Sequence, residues 1–251
     1  MSDYPKGRKR FTVAGDSPYL ALVRDYFIRG GWYLLPWDKA GDADLALIGA
    51  DLNNIVSHPP LAQIELLLMG TQDVDNIVIL SSPHLTVRSP DLDKWRKGER
   101  ATWLYAKCME HSFFDAYGSD VLSIRPINIF GPDVDNHFKT WLEQARAAQT
   151  MTCFGNPLHK STFTHQDDFL ECITYLQNMG VGNVVDTGFE EMTYQNFLRN
   201  IWKFTNGSDL EPTIASTQNP VWHHSSNRRL ELLNWKSKYS IRSALFETIS
   251  K

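Results

Sequence analysis

Short β-like runs alternate with helical apolar periods along nearly the whole chain, and this alternation narrows the possible folds more than any other feature. "RFTVAG" reads as a first strand, and Tyr19, Leu22, Val23, Tyr26 and Phe27 then fall on one helical stripe that Gly30 and Gly31 end. "WYLLPW" and "ADLALIGA" read as the second and third strands, "LAQIELLLM" as a helix and "NIVILSS" as a fully buried strand. A longer helix, "RATWLYAKCMEHSFFDAYG", leads to the strand "DVLSIRPINIFGP" and the helix "NHFKTWLEQARAA". "FTHQDDFLECITYLQNM" reads as a strand end feeding a helix, "NVVDTG" as a strand and "TYQNFLRNIWKFTNG" as a helix. The tail from Ser225 reads as two short helices around a turn. Strands alternating with helices imply an α/β fold with a mostly parallel sheet. No repeat, low-complexity block or Pro/Gly/Ser linker interrupts it.

The join between the second and third strands is short. Only polar or small residues run from Asp38 to Asp44, whereas a parallel crossover normally takes about a dozen residues and a helix. The expectation is a short second strand, with an extended return or a hairpin and no helix in the join.

Composition excludes several classes of function. The chain of 251 residues is 42% hydrophobic and 22% charged, with a net charge of −4, so electrostatics gives no reason to expect a nucleic-acid partner. Cys108, Cys153 and Cys172 form no CxxC pair, which fits a reducing compartment and no disulfide framework. No apolar run reaches membrane-spanning length and no signal-peptide core opens the chain, so a soluble cytoplasmic protein is expected. The basic start, with Lys6, Arg8, Lys9 and Arg10, reads as a solvated tail over 1–10 or as a contact for phosphates or an acidic partner. His159, His165, His223 and His224 show no chelating spacing, so no metal is expected. Asp167 and Asp168 open a helix, where capping and the macrodipole account for them. Ser82, His84 and Asp91 could be assembled into a nucleophile set, but three such residues in a loop are commonplace, and no GxSxG, HExxH or Walker turn is present.

The order of these pieces resembles the extended short-chain dehydrogenase/reductase family of NAD-dependent epimerases and dehydratases, from about Phe11 to Ile249. "NIVILSS" is similar to the family strand that ends at the catalytic serine, placing Ser82 there. "WLYAK" is similar to the YxxxK helix, with Lys107 as the lysine. "RPINIFGP" resembles the RxxNxxGP segment through Arg125, Asn128, Gly131 and Pro132. "FTHQDDFLECI" matches a substrate-half segment through His165 and Asp168, and the C-terminal "LELLNWKSKYSIRSALFETI" carries Asn234 where the family usually has Gly. The resemblance implies a trimmed Rossmann-like, doubly wound, mostly parallel sheet over 11–150. A small C-terminal substrate lobe over 151–251 would interleave with the last strand and helices of that core. It further implies an NAD(P) cofactor, with Gly15, Pro18, Tyr19, Leu20, Ala21 and Asp38 at cofactor-binding positions, Ser82 and Lys107 at catalytic positions, and Asn128 and His165 facing a nucleotide-sugar substrate.

Three departures bear on function. The family turn is GxxGxxG, and here it reads Gly15, Pro18, Ala21. Proline fixes φ near −65° and brings no N–H, so the close dinucleotide cradle is not expected, although the helix N-terminus still favours an anion. The segment that walls the adenine side in the family is missing after Asp38, which reads equally as a ribose-binding acid or a loop aspartate. The tyrosine of YxxxK is replaced by Trp103, whose indole N–H donates a hydrogen bond but moves no proton near neutral pH. Tyr105 is no substitute, because two helical positions turn it about 200° away. Ser82 reads equally as a ligand contact or a local cap, and Lys107 and Asn128 as ligand contacts or ordinary helix and loop residues.

The expected function is that of an epimerase/dehydratase-like protein without redox catalysis, kept as a binding, scaffold or regulatory module. The alternative is an active NAD(P)-dependent epimerase, dehydratase or reductase on a nucleotide sugar, and a third reading keeps the fold for a nucleotide or sugar phosphate without nicotinamide. A protein partner or a homodimer is the expected assembly. In the family, dimers pack two helices per subunit, here "LAQIELLLM" and the Trp103–Tyr117 helix. Leu104, Tyr105, Cys108 and Phe113 serve either that contact or the core.

Overall fold

The computed structural model describes residues 7–50, 60–86, 97–134, 136–180, 182–207, 211–217 and 228–250. Lys6, Asp91, His223 and His224 lie outside them. The chain forms two compact units: 1–82, 101–124 and 174–184 make the first, and 83–100, 125–173 and 185–251 the second.

The first unit begins with β1 (Arg10–Asp16), α1 (Leu20–Arg29), β2 (Tyr33–Leu35) and β3 (Leu45–Ala50). It continues with α2 (Pro60–Gly70), β4 (Ile77–Leu80), α3 (Lys97–Tyr117) and β5 (Val121–Pro126). With β9 (Asn183–Thr187), the strands form one six-stranded sheet in the order β2-β1-β3-β4-β5-β9. β1 pairs in parallel with β2 and β3, β3 with β4, and β4 with β5. All residues of β3 and β4 are buried, as expected of strands covered on both faces. Of the stripe read from the sequence, α1 buries Leu22, Val23 and Phe27, together with Leu20, while Tyr19 and Tyr26 are half-buried. Phe27 meets Trp32 edge-on at 5.0 Å, and Phe11 lies 5.6 Å from Phe27. Ser123 on β5 donates to the buried Glu110 carboxylate of α3 at 2.7 Å, tying helix to sheet.

The short join corrects one expectation. Trp37–Asp42 winds as a 3-10 turn, where no helix was expected. β2 lies beyond β1 from β3, so the return passes β1 within a few residues. Tight i→i+3 bonds, Lys39 N–H to Pro36 and Ala43 N–H to Ala40, compact it. Trp37 settles against Gly70 of α2, where a Cβ would stand 2.5 Å from the indole.

The second unit adds β6 (Ile129–Phe130), α4 (His137–Arg146), β7 (Met151–Phe154), β8 (Lys160–His165) and α5 (Gln166–Asn178). It closes with β10 (Glu190–Thr193), α6 (Tyr194–Asn206), β11 (Ile214–Thr217), α7 (Arg228–Leu232) and α8 (Ile241–Ile249). Two small sheets form, β10-β8-β6 and β11-β7. The core is aromatic: Phe163 stacks on Phe197 at 4.0 Å, and Phe130, Phe138, Trp141 and Tyr194 surround them. The run read as one strand from Asp120 to Pro132 is broken at Asn128, whose φ of 41° is a left-handed conformation that asparagine tolerates. The two tail helices read from the sequence are α7 and α8.

Asp168 holds the segment between them. Its carboxylate is 1% exposed and accepts from the backbone N–H of Lys238 at 2.8 Å and of Tyr239 at 3.2 Å, with the Ser237 hydroxyl at 2.8 Å.

Candidate functional site

Gly15, Gly49, Leu80 and Ile124 stand in one row across β1, β3, β4 and β5. Beyond that row is the C-terminal edge of the parallel sheet, where ligands of open α/β sheets bind. Ser17, Pro18, Tyr19 and Leu20 leave β1 there, and Ser82 leaves β4 on the same edge, only 5% exposed. The geometry therefore brings the turn residues and Ser82 to one margin of the first unit.

The turn is shaped by its neighbours. Gly15 takes φ +75°, and a Cβ there would stand 2.2 Å from the Gly49 carbonyl oxygen, so packing of β1 on β3 alone demands glycine. Pro18 is exposed and contributes no N–H. The Tyr19 N–H points to the Ser17 hydroxyl at 3.3 Å, and the Leu20 N–H to the Ser17 carbonyl at 3.0 Å. The α-helical ladder then starts with Val23 N–H to Tyr19 at 3.0 Å. The sequence reading missed Ser17. Its signal was a serine directly before a proline at the opening of a helical period. Asp38 lies within the 3-10 turn, and Ala21 is exposed on the first turn of α1.

On α3, Trp103 and Lys107 share one face. The Lys107 ammonium sits 4.6 Å from the centroid of the half-buried indole, a cation–π pair. Tyr105 points elsewhere: it is 4% exposed and donates to Gln63 of α2 at 3.3 Å. Burial pushes its phenol up to about 12. A general acid/base needs a pKa near the working pH, so this tyrosine is moved the wrong way.

Asn128 and His165 belong to the second unit and lie on adjoining strands, with Phe130 in register with His165 and the Asn128 carbonyl accepting from Thr164 at 3.3 Å. The Asn128 amide donates to Ser161 and to the Thr162 carbonyl, both at 2.8 Å, and accepts from Tyr194 at 3.2 Å. Both its N–H groups are thus engaged within the protein. His165 is 7% exposed between Phe130 and Tyr239, with Thr248 at 3.4 Å from Nε2 and the Asp167 N–H at 3.4 Å from Nδ1. Gly131 leaves room for Gln166, whose carbonyl accepts from the Asp133 N–H and whose amide donates to the Asp133 carboxylate, both at 3.0 Å. Arg125 pairs with Asp186 at 3.7 Å. A cleft of about 600 Å³ opens beside Gly131, Asp133, Phe138, Lys139, Arg146 and Thr248. Among the described residues no cluster of three or more His, Cys, Asp or Glu could hold a metal, and no helix is long and apolar enough to cross a membrane.

Sheet order, edge turn and second unit together define an α/β protein of the Rossmann-like, doubly wound class. Within that class, residues 100–188 match the model of the NAD dependent epimerase/dehydratase family, the segment that runs from α3 through β9. Solved structures of extended short-chain dehydrogenase/reductase enzymes share the fold over nearly the full chain. A mutant of UDP-glucuronic acid 4-epimerase from Bacillus cereus, in complex with a fluorinated sugar nucleotide and NAD, superposes with a TM-score of 0.74 at 12% identity, covering 96% of this chain and 98% of that one. dTDP-glucose 4,6-dehydratase from Bacillus anthracis in complex with NAD gives 0.71 at 11% identity, covering 97% and 96%. GDP-mannoheptose C4 reductase from Campylobacter jejuni with NADP bound gives 0.70 at 12%, covering 98% and 99%. At such identities the likeness shows the fold alone. No curated protein matches the chain by sequence.

An NAD(P) group fits this margin poorly. Gly15 stands in the turn, but Pro18 removes an amide, Ser17 faces the next one, and the Lys107 ammonium rests on an indole.

Proposed function

We propose that this protein is an epimerase/dehydratase-like module that has given up redox catalysis and acts by binding, as a scaffold or regulator. The observation that carries the reading is Trp103 at the tyrosine position with the Lys107 ammonium held over its ring at 4.6 Å. A redox member of the family needs a phenol that cycles its proton and a lysine that steadies it. Here the ring moves no proton, its lysine is engaged with it, and Tyr105, two residues along α3, is buried and raised to about 12. The fold's nucleotide-sugar enzymes make a nucleotide or sugar nucleotide the first ligand class to try, and a second copy or another protein the first partner. A reducing, cytoplasmic setting suits its three free cysteines.

The test is thermal unfolding of the full chain with NAD⁺, NADH, NADP⁺, NADPH, UDP-glucose and dTDP-glucose, alongside mass spectrometry of the purified protein for carried dinucleotide. A ligand at about 100 times its Kd adds about 2.7 kcal/mol, which shifts the midpoint by several degrees. The expected result is no shift that distinguishes oxidised from reduced nicotinamide and no turnover. Stoichiometric dinucleotide together with conversion of a sugar nucleotide would sink the reading.

A further inference from the structure

The turn after β1 differs from a dinucleotide cradle at Pro18, and that residue draws attention first. The hydrogen bonds point one residue earlier. We infer that Ser17 is the residue that closes this turn to a diphosphate, and that Pro18 only completes the closure. The inference rests on the proposed loss of redox function and names the side chain that enforces it.

A diphosphate at a helix start is held by consecutive backbone N–H groups that have no partner of their own. Here the candidates in order are positions 18, 19 and 20. Position 18 offers none, because it is proline. Position 19 is turned inward: its N–H meets the Ser17 hydroxyl at 3.3 Å, and Ser17 is 7% exposed, so the hydroxyl caps the amide from the protein side. Position 20 bonds the Ser17 carbonyl at 3.0 Å, the ordinary turn bond that any residue at 17 would allow. An oxyanion arriving at the turn would have to displace a serine already seated beside its main donor. It would gain a charge-assisted bond only after breaking that contact. Glycine at 18 would add a donor and leave position 19 occupied. Removing the hydroxyl as well would return two adjacent donors. Gly15, fixed by its approach to Gly49, stays as it is in every case.

The experiment compares the full chain as wild type, Ser17→Ala, Pro18→Gly and the double S17A/P18G. Two readouts are taken: hydrogen exchange at the Tyr19 amide, and calorimetric titration with sodium pyrophosphate and with NAD⁺ at fixed ionic strength. Far-ultraviolet circular dichroism and a melt verify that each variant is folded. Removing one weak local bond is expected to speed Tyr19 exchange about tenfold in Ser17→Ala and to leave it near wild type in Pro18→Gly. The double variant is expected to bind pyrophosphate at least about tenfold tighter than either single, the gain of one further charge-assisted donor. Unchanged Tyr19 exchange in Ser17→Ala overturns the inference. So does Pro18→Gly binding pyrophosphate as tightly as the double, or a folded double variant silent to both probes. Wild-type protein that binds NAD⁺ stoichiometrically also overturns the inference, because NAD⁺ carries a diphosphate; the proposed function falls with it only if a sugar nucleotide is turned over as well.

Discussion

Trp103 and Tyr105 are two residues apart on α3, and burial sets their chemistry apart. The indole is half-buried beside an exposed lysine, while the phenol is buried against α2 with Gln63 as its acceptor. Its pKa rises because the phenolate would lose solvation and gain no cation. The sign for stability follows. The folded value, about 12, lies above the unfolded 10.0, so the neutral phenol stabilises the fold fully below pH 10 and that contribution is lost as pH climbs from 10 towards 12. Ultraviolet titration of wild type against Tyr105→Phe should assign the missing phenolate to a step near the upper end of that range. A Tyr105 step at or below pH 10 would contradict its burial. The helical arithmetic of the sequence already placed Tyr105 off the Trp103 face, and the structure adds what it does there. Asn128 was less legible. Its motif position suggested a ligand contact, but its left-handed φ and the three side-chain bonds it makes to Ser161, Thr162 and Tyr194 are long-range facts that spacing does not encode.

Among elements, pattern found the six strands of the central sheet, the half-exposed β2 and β9 among them. β3 and β4 read as unbroken apolar runs because both their faces are covered. β7, β10 and β11 were missed: each is four residues long, and "EEMT" and "IAST" are half-exposed, too short and polar for a period-two signal. Such strands are fixed by their partners, β10 by β8 and β11 by β7. The 3-10 turn at Trp37–Asp42 was likewise set by tertiary fit, with Trp37 over Gly70. Asp168 shows the reverse case, where a residue read as a helix-opening acid also organises another element. Its carboxylate gathers Ser237, Lys238 and Tyr239 and so fixes the connection from α7 to α8, while Lys238 and Glu171 pair at 2.5 Å on the exposed side. Asp168→Ala would strand two backbone donors and is expected to cost about 3 kcal/mol, seen as a lower denaturant midpoint and faster proteolysis of the C-terminal segment. Asp168→Asn, which keeps an acceptor oxygen, should recover part of that loss. Equal losses in both would mean that the clamp is not what holds the tail.

At the scale of the whole molecule, the open question is what covers α2. This helix carries one charged residue, Glu65, in a run of apolar ones, a pattern that suits a helix buried on more than one side. One side is accounted for within the first unit. Ile64 and Leu67 are buried, and α3 docks alongside through Tyr105 to Gln63 and through the Tyr117 hydroxyl, which donates to the Leu68 carbonyl at 2.7 Å. The other side is open: Leu66 is 55% and Met69 66% exposed, and on α3 Leu104 is 53% exposed with Cys108 also at the surface. Of the four α3 residues read as either core or contact, Tyr105 and Phe113 are therefore core, and Leu104 and Cys108 remain for a contact. Exposed leucine and methionine on two adjacent helices lose free energy to water, at about 25 cal/mol per Å² of apolar area, unless another surface covers them. A second copy brings the same apolar residues and is the simplest partner for a self-complementary face. Light scattering behind size exclusion should give a dimer mass for wild type. Leu66→Glu combined with Met69→Glu should give a monomer whose circular dichroism is unchanged, because both positions are outside the core. A wild-type monomer at high protein concentration would remove the homodimer. A double variant that stays dimeric would move the contact away from α2.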